Sequence, residues 1–164
     1  MDKIEYKIID NALDDEVFNM IRDKVTSVEF PWQFLDNITE KKMEGENFYF
    51  THMFYQEHAI RSQFYQFLMP LFNIIKVKAL IRIKGNLYTR TENPEIHPFH
   101  ADYPFEHKGA IFYINTNNGL TILENGTEIK SVKNRLLLFD SSRPHKSTSC
   151  SDKKCRMNIN INYF

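Results

Sequence analysis

The chain has 164 residues, 42% of them hydrophobic and 14% aromatic, and its 21 Lys and Arg balance 21 Asp and Glu. That length suits one domain with a proper core, and the aromatic load argues against disorder. Zero formal net charge removes the bulk electrostatic signature of a nucleic-acid or anionic-membrane partner.

Along the chain, Ile4 to Ile9 reads as a short apolar strand, and Asn11 to Asp15 as a helix start. Leu13, Val17, Ile21 and Val25 then recur at four-residue spacing, which marks one helical face. Residues 31–47 contain charges, a Gly and no clear period, and are read as a loop. A second helix is expected over 57–75, with Ile60, Phe64, Phe67, Leu71 and Ile74 as its buried stripe, kinked or split by Pro70. From residue 80 the texture changes to strands with turn signals between them: 80–90, 99–103, 108–115, 120–124, 127–132, 135–140, 145–150 and 155–164. Asn117-Asn118-Gly119 and Asn125-Gly126 are hairpin turn residues. Eight short strands behind two helices predict a mainly β fold: a double-stranded β-helix, or jelly roll, with helices packed on one sheet. No repeat or boundary divides the chain, so we expect one domain over 1–164, with 1–79 as helical support and loops and 80–164 as the jelly-roll core.

Three residues in this second half carry a chemical pattern. His100 and Asp102 stand two apart on an expected strand, where side chains alternate faces, so both point the same way. His145, returning from a distant strand, would complete a two-histidine, one-carboxylate face that suits non-haem Fe(II) and leaves positions open for oxygen and a cosubstrate. Arg156 follows eleven residues later, where a fixed cation could hold the far carboxylate of a dicarboxylic acid bound at the metal. On the last strand Arg156, Asn158, Asn160 and Asn162 share one face, and Met157, Ile159 and Ile161 the other. A solvated polar face is the plain reading. In a jelly roll with one sheet covered by helices, the polar face lines the barrel interior instead, where Arg and three Asn require partners.

Residues 82–164 resemble the 2-oxoglutarate/Fe(II)-dependent dioxygenases, specifically the small prolyl-4-hydroxylase-like group with many phage and bacterial members. The resemblance rests on the order and spacing of Asn-Leu-Tyr (86–88), His-Ala-Asp (100–102), Phe-Tyr-Ile-Asn (112–115), Asn-Arg-Leu-Leu-Leu-Phe-Asp (134–140), Arg-Pro-His (143–145) and Arg-Met-Asn (156–158). It implies that His100, Asp102 and His145 hold the iron, and that Arg156 pairs with the distal carboxylate of 2-oxoglutarate. It also places Tyr113 on that carboxylate and Tyr88 beside the cosubstrate. Asn86-x-Tyr88 is similar to the Asn-x-Tyr of the AlkB-type demethylases, and Asn158 is a further candidate for the cosubstrate site. Ordinary barrel packing is the alternative for each tyrosine.

The reaction so implied consumes O2 and 2-oxoglutarate, releases succinate and CO2, and hydroxylates a C–H bond. Retention of Asp102 favours hydroxylation, since related halogenases lose this carboxylate. The expected substrate is a prolyl or other residue of a protein or peptide, with residues 31–47 and 91–98 as covering loops. A free small molecule or nucleobase is the enzymatic alternative, with neutral charge weighing against nucleic acid, and a non-catalytic metal-binding jelly roll is the third reading. His97 and His107 are expected beside the site or exposed, Arg82 and Lys84 on a solvated face. Cys150 and Cys155 complete no zinc site and make no disulfide framework, so both are read as free thiols. The uncharged stretches 62–75 and 109–123 fall short of the roughly 20 apolar residues of a spanning helix. The N-terminus shows no signal-peptide core. A soluble, cytoplasmic protein with no membrane partner is expected, of phage type in a bacterial host if the resemblance extends so far.

Overall fold

The computed structural model describes residues 6–36 and 48–164. The chain opens with strand β1 (Tyr6–Ile9) and helix α1 (Asp15–Val25), followed by β2 (Gln33–Leu35), β3 (Tyr49–Gln56) and β4 (Ala59–Ile60). A 3-10 turn (Tyr65–Leu68) runs into helix α2 (Met69–Ile75). The remainder is strand: β5 (Leu80–Thr89), β6 (Lys108–Tyr113), β7 (Leu120–Leu123), β8 (Glu128–Lys130), β9 (Arg135–Asp140), β10 (His145–Ser147) and β11 (Cys155–Tyr163).

A major sheet in the order β1-β9-β6-β11-β5-β3-β2, with β4 added to β3, faces a minor sheet in the order β10-β7-β8. Its pairings are antiparallel. This is the expected jelly roll. Residues before 80 contribute more than helical support, since β1 extends the sheet beyond β9 while β3 and β2 extend it beyond β5.

The helices cover the outer face of the major sheet. Phe18, Ile21 and Val25 of α1 and Leu71 of α2 share a core with Ile83, Phe112, Leu136, Ile159 and Ile161. Asp15 and Glu16 in the first turn of α1, and Arg22 and Lys24 in its last, complement the helix dipole. Asn134 secures the approach to this helix: its amide accepts from the Leu13 N–H at 3.0 Å and donates to the Leu13 carbonyl at 2.7 Å. Between the sheets, Ile111, Tyr113, Leu123, Ile129, Leu137 and Phe139 form a second core.

Two elements differ from expectation. The helix expected over 57–75 is replaced by a hairpin, a 3-10 turn and a short helix. Glu57 and His58 both take positive φ, 53° and 60°, between paired Gln56 and Ala59. That is the turn of a two-residue hairpin without the usual Asn or Gly signature. Pro70 occupies the first turn of α2, where its missing N–H is harmless, and Lys76 in a left-handed conformation ends the helix. The strand expected over 99–103 is absent. His100 makes a single bridge to His145, flanked by Pro98 and Pro104, which cannot donate to a ladder. Of the expected loop 31–47, residues 33–35 form β2, and 37–47 lie outside the described residues, as does Ile4 of the first expected strand.

Phe112 is fully buried at the centre of the major sheet and meets Phe18 edge-on at 6.1 Å. Phe112→Ala is expected to lower unfolding free energy by about 3–5 kcal/mol, read from urea denaturation at unchanged m-value.

Candidate metal and cosubstrate site

Strand period two divides β11 between two environments. Met157, Ile159 and Ile161 enter the helix-side core, while Arg156, Asn158 and Asn160 line a cleft between the sheets. Neighbouring β5 behaves alike: Tyr88, Asn86 and Lys84 stand opposite Arg156, Asn158 and Asn160 and line the same cleft. The interior reading of the polar face is the observed one.

At one end of this cleft His100, Asp102 and His145 converge, with one candidate ligand atom from each lying within 4.8 Å of the others. The His100 and His145 backbones exchange two hydrogen bonds, His100 N–H to the His145 carbonyl at 3.0 Å and the reverse at 2.9 Å. This bridge brings the imidazoles together without a regular strand. His145 Nδ1 lies 3.1 Å from the Arg143 carbonyl and His100 Nδ1 3.5 Å from that of Pro98. A proton on each Nδ1 leaves each Nε2 lone pair towards Asp102, whose oxygens are 3.8 Å from His100 Nε2 and 3.9 Å from His145 Nε2.

Asp102 is fixed by donors. Its Oδ1 accepts from Arg82 at 2.8 Å, and its Oδ2 from Asn162 at 2.9 Å, Asn160 at 3.1 Å and the Ser141 hydroxyl. Burial works against the carboxylate. Neighbouring His145, the Arg82 guanidinium, and the hydrogen bonds from Ser141 and Asn162 outweigh it and hold the group far below the usual range. Burial and neighbouring His145 also lower the His100 imidazole, although its side chain is two-fifths exposed. A neutral imidazole and an ionised carboxylate are the forms that bind metal.

Arg156 occupies the other end with no exposed surface. It donates to Ser131 Oγ at 2.8 Å, Thr121 Oγ1 at 2.9 Å and the Thr148 carbonyl at 3.3 Å. The Tyr88 and Tyr113 rings lie 5.5 and 5.8 Å from the guanidinium carbon. Every one of these partners is neutral, and among the described residues no carboxylate pairs with Arg156. Gly119 makes room for it: a Cβ there would lie 2.5 Å from Arg156 Cδ and 2.7 Å from the Ser149 carbonyl.

The remaining candidates divide. Tyr88 lines the cleft, between the Tyr49 ring stacked at 5.5 Å and His97 at 5.0 Å. Asn86 donates to Asn158 at 3.0 Å, and both line the cleft. Tyr113 lies one step further back: its hydroxyl donates at 2.7 Å to Thr121 Oγ1, which also accepts from Arg156. Thr121, not Tyr113, reaches the cleft surface. Arg82 and Lys84, expected on a solvated face, point inward. Their signal is the phase they share with Asn86 and Tyr88, and only the covering of both sheet faces turns that phase into burial. Ser131 and Ser141 carry no sequence signal at all.

Lys84 is half-buried, and burial together with Arg82 pushes its ammonium down to about 8. His97 is buried, with Nδ1 2.8 Å from Ser147 Oγ, and His107 is buried with Nδ1 2.8 Å from the Phe105 carbonyl. Cys150 and Cys155 are both free, with their thiols raised by burial.

The donor set fits a divalent metal. Two neutral imidazole nitrogens and one carboxylate on a single face leave positions for exogenous ligands. Asn160 adds a second observation, because its Nδ2 is committed to an accept-only carboxylate. Its buried Oδ1 is therefore an acceptor, and it has no partner among the described residues. A water on a metal held by Asp102 would be a suitable donor.

No family model matches the sequence, and no curated protein does. Solved structures do. A prolyl hydroxylase from Trichoplax adhaerens, in complex with a hypoxia-inducible-factor oxygen degradation domain peptide fragment, aligns with TM-score 0.71 at 14% identity, over 97% of this chain and 83% of that one. A viral collagen prolyl hydroxylase from Paramecium bursaria Chlorella virus-1, in a 2-oxoglutarate complex, aligns with TM-score 0.63 at 11% identity, over 96% and 93%. The non-haem α-ketoglutarate-dependent epimerase SnoN from nogalamycin biosynthesis aligns with TM-score 0.67 at 10% identity, over 98% and 78%. The chain thus has the jelly-roll fold of the 2-oxoglutarate/Fe(II) oxygenases. No helix among the described residues is long and apolar enough to cross a membrane.

His97 gives the cleft a measurable pH signature. Burial, Arg156 and His100 push its imidazole down to about 4, whereas an unfolded chain titrates near 6.5. Between these values the unfolded state binds the proton and the folded state does not. Stability is therefore full above about pH 6.5 and falls as pH drops towards 4, by at most roughly 3 kcal/mol from this group. His97→Gln should flatten that fall when urea midpoints are compared at pH 7 and 4.5; an unchanged slope would contradict the assignment.

Proposed function

We propose that the protein is an Fe(II)- and 2-oxoglutarate-dependent dioxygenase that hydroxylates a C–H bond. The observation that carries this reading is Arg156, buried without a carboxylate partner among the described residues, in the same cleft as the convergent His100, Asp102 and His145. A buried guanidinium supported only by neutral acceptors is costly unless an anion joins it. A dicarboxylic keto acid meets both requirements: one carboxylate for Arg156, and a keto-acid end for a metal.

In this assignment His100, His145 and Asp102 would hold the iron, which would supply the activation of O2 coupled to loss of CO2 from the keto acid. Arg82, Asn160, Asn162 and Ser141 keep Asp102 ionised and oriented. Thr121 and Ser131 hold the Arg156 fork at the far carboxylate, and Tyr113 steadies Thr121. Tyr88 walls the cosubstrate channel, with Asn86 and Asn158 paired beside it. A non-catalytic metal-binding jelly roll would have no need for an anion site buried within the cleft.

For the substrate, we favour a prolyl or other residue of a peptide, supported by prolyl hydroxylases among the structural relatives, one of them with a peptide bound. SnoN supports the alternative, a free small molecule, since this fold also serves an epimerase of nogalamycin biosynthesis.

Anaerobic addition of Fe(II) and 2-oxoglutarate should give the visible charge-transfer band of a chelated keto acid, and His145→Ala should abolish it. Admission of O2 should then yield succinate. No band from wild-type protein that has bound the metal would overturn the oxygenase reading.

A further inference from the structure

We infer that Lys84 is a specificity-determining cation, and that the substrate presents an anionic group, carboxylate or phosphate, beside the carbon that is oxidised. This inference rests on the oxygenase reading and refines it. Lys84 lines the cleft from β5, opposite Asn160 in register, and Asn160 donates to Asp102. At the backbone, Lys84 is therefore level with the metal end of the cleft. Arg156 stands opposite Tyr88, four residues further along β5, and at a strand rise of about 3.3 Å per residue the two levels are some ~13 Å apart.

The cations of this cleft outnumber its anions. Asp102 is the carboxylate among the lining residues, and Arg82 already pairs with it at 2.8 Å. A dicarboxylate spanning from the metal to Arg156 uses one charge at each end. Lys84 is left over, with no ion pair or hydrogen bond among the described residues. Its Nζ lies 5.7 Å from the Tyr49 ring, and an aromatic face positions a cation without neutralising it. Lys146, also lining the cleft, lies over the Phe99 ring at 4.3 Å, so the approach to the metal is cationic on two strands. A half-buried ammonium without an anion favours a negatively charged ligand and disfavours its neutral isostere.

The test uses Mn(II)-loaded protein saturated with 2-oxoglutarate without oxygen, titrated by calorimetry with N-acetylglycine, N-acetylglycinamide and inorganic phosphate. Wild type should bind the acid about tenfold more tightly than the amide, Lys84→Met should lose that preference, and Lys84→Arg should restore it. Whether carboxylate or phosphate shows the larger loss in Lys84→Met identifies the anion. Equal binding of acid and amide by wild type, a comparison that needs no variant, would overturn the inference. So would a preference that persists in Lys84→Met, or a raised 2-oxoglutarate requirement in that variant, which would assign Lys84 to the cosubstrate. Failure of wild type to bind 2-oxoglutarate at all would instead overturn the oxygenase reading beneath it.

Discussion

Arg156 has no exposed surface and, among the described residues, only neutral hydrogen-bond partners, and the cleft is arranged around that constraint. Two hydroxyls and a carbonyl fix the direction of the guanidinium without cancelling its charge, and the Tyr88 and Tyr113 rings pack 5.5 and 5.8 Å from its central carbon. Such a cation is expensive in isolation, because desolvation of a charge costs several kcal/mol that neutral acceptors only partly return. The expense makes sense where an anionic ligand completes the site. Even the backbone conforms to it, since any side chain at position 119 would strike the arginine.

The opposite end of the cleft solves the complementary problem. Asp102 is a buried carboxylate, and four side chains donate to it. Three of these, Arg82, Asn160 and Asn162, come from the two central strands that also carry Lys84, Asn86, Tyr88 and Arg156. One pair of strands thus supplies the buried Arg156 charge and the dipoles that orient the Asp102 carboxylate. Rigidity between the two ends follows from the continuous antiparallel ladder joining them, and ladder-borne groups are placed more firmly than loop-borne ones.

Much of this is legible in the chain, for a physical reason. Period-two alternation survives folding unchanged, so the amino-acid order alone groups Arg156, Asn158 and Asn160 on one face, and the His-x-Asp and Arg-Pro-His segments pair by type and order. What escapes depends on context that local pattern does not encode. Apolar residues at 60, 64, 67, 71 and 74 fit a helix, yet Glu57 and His58 turn the chain in a hairpin whose positive φ values neither residue advertises. Strand β3 has no counterpart among the elements expected from sequence, although it holds Tyr49 against the cleft. Charged residues usually belong in solvent, which is where Arg82 and Lys84 are expected; helices on the outer face and the minor sheet on the inner one leave them no such choice. Tyr113 shows the limit of carrying a role across by position: it is buried at the right place, but Thr121 stands between its hydroxyl and the cleft.

The pairing of a buried, uncompensated guanidinium with a metal-binding triad is the centre of this account, and ligand charge tests it most directly. The measurement is the affinity of metal-loaded protein, held without oxygen, for 2-oxoglutarate and for 2-oxobutyrate, which keeps the chelating keto acid but lacks the distal carboxylate. Wild type should prefer 2-oxoglutarate by roughly tens- to a hundredfold, as a desolvated charge-assisted pair provides, and Arg156→Met should bind the two keto acids alike. Equal affinity in wild type would show that Arg156 does not receive the anion, and would contradict the account.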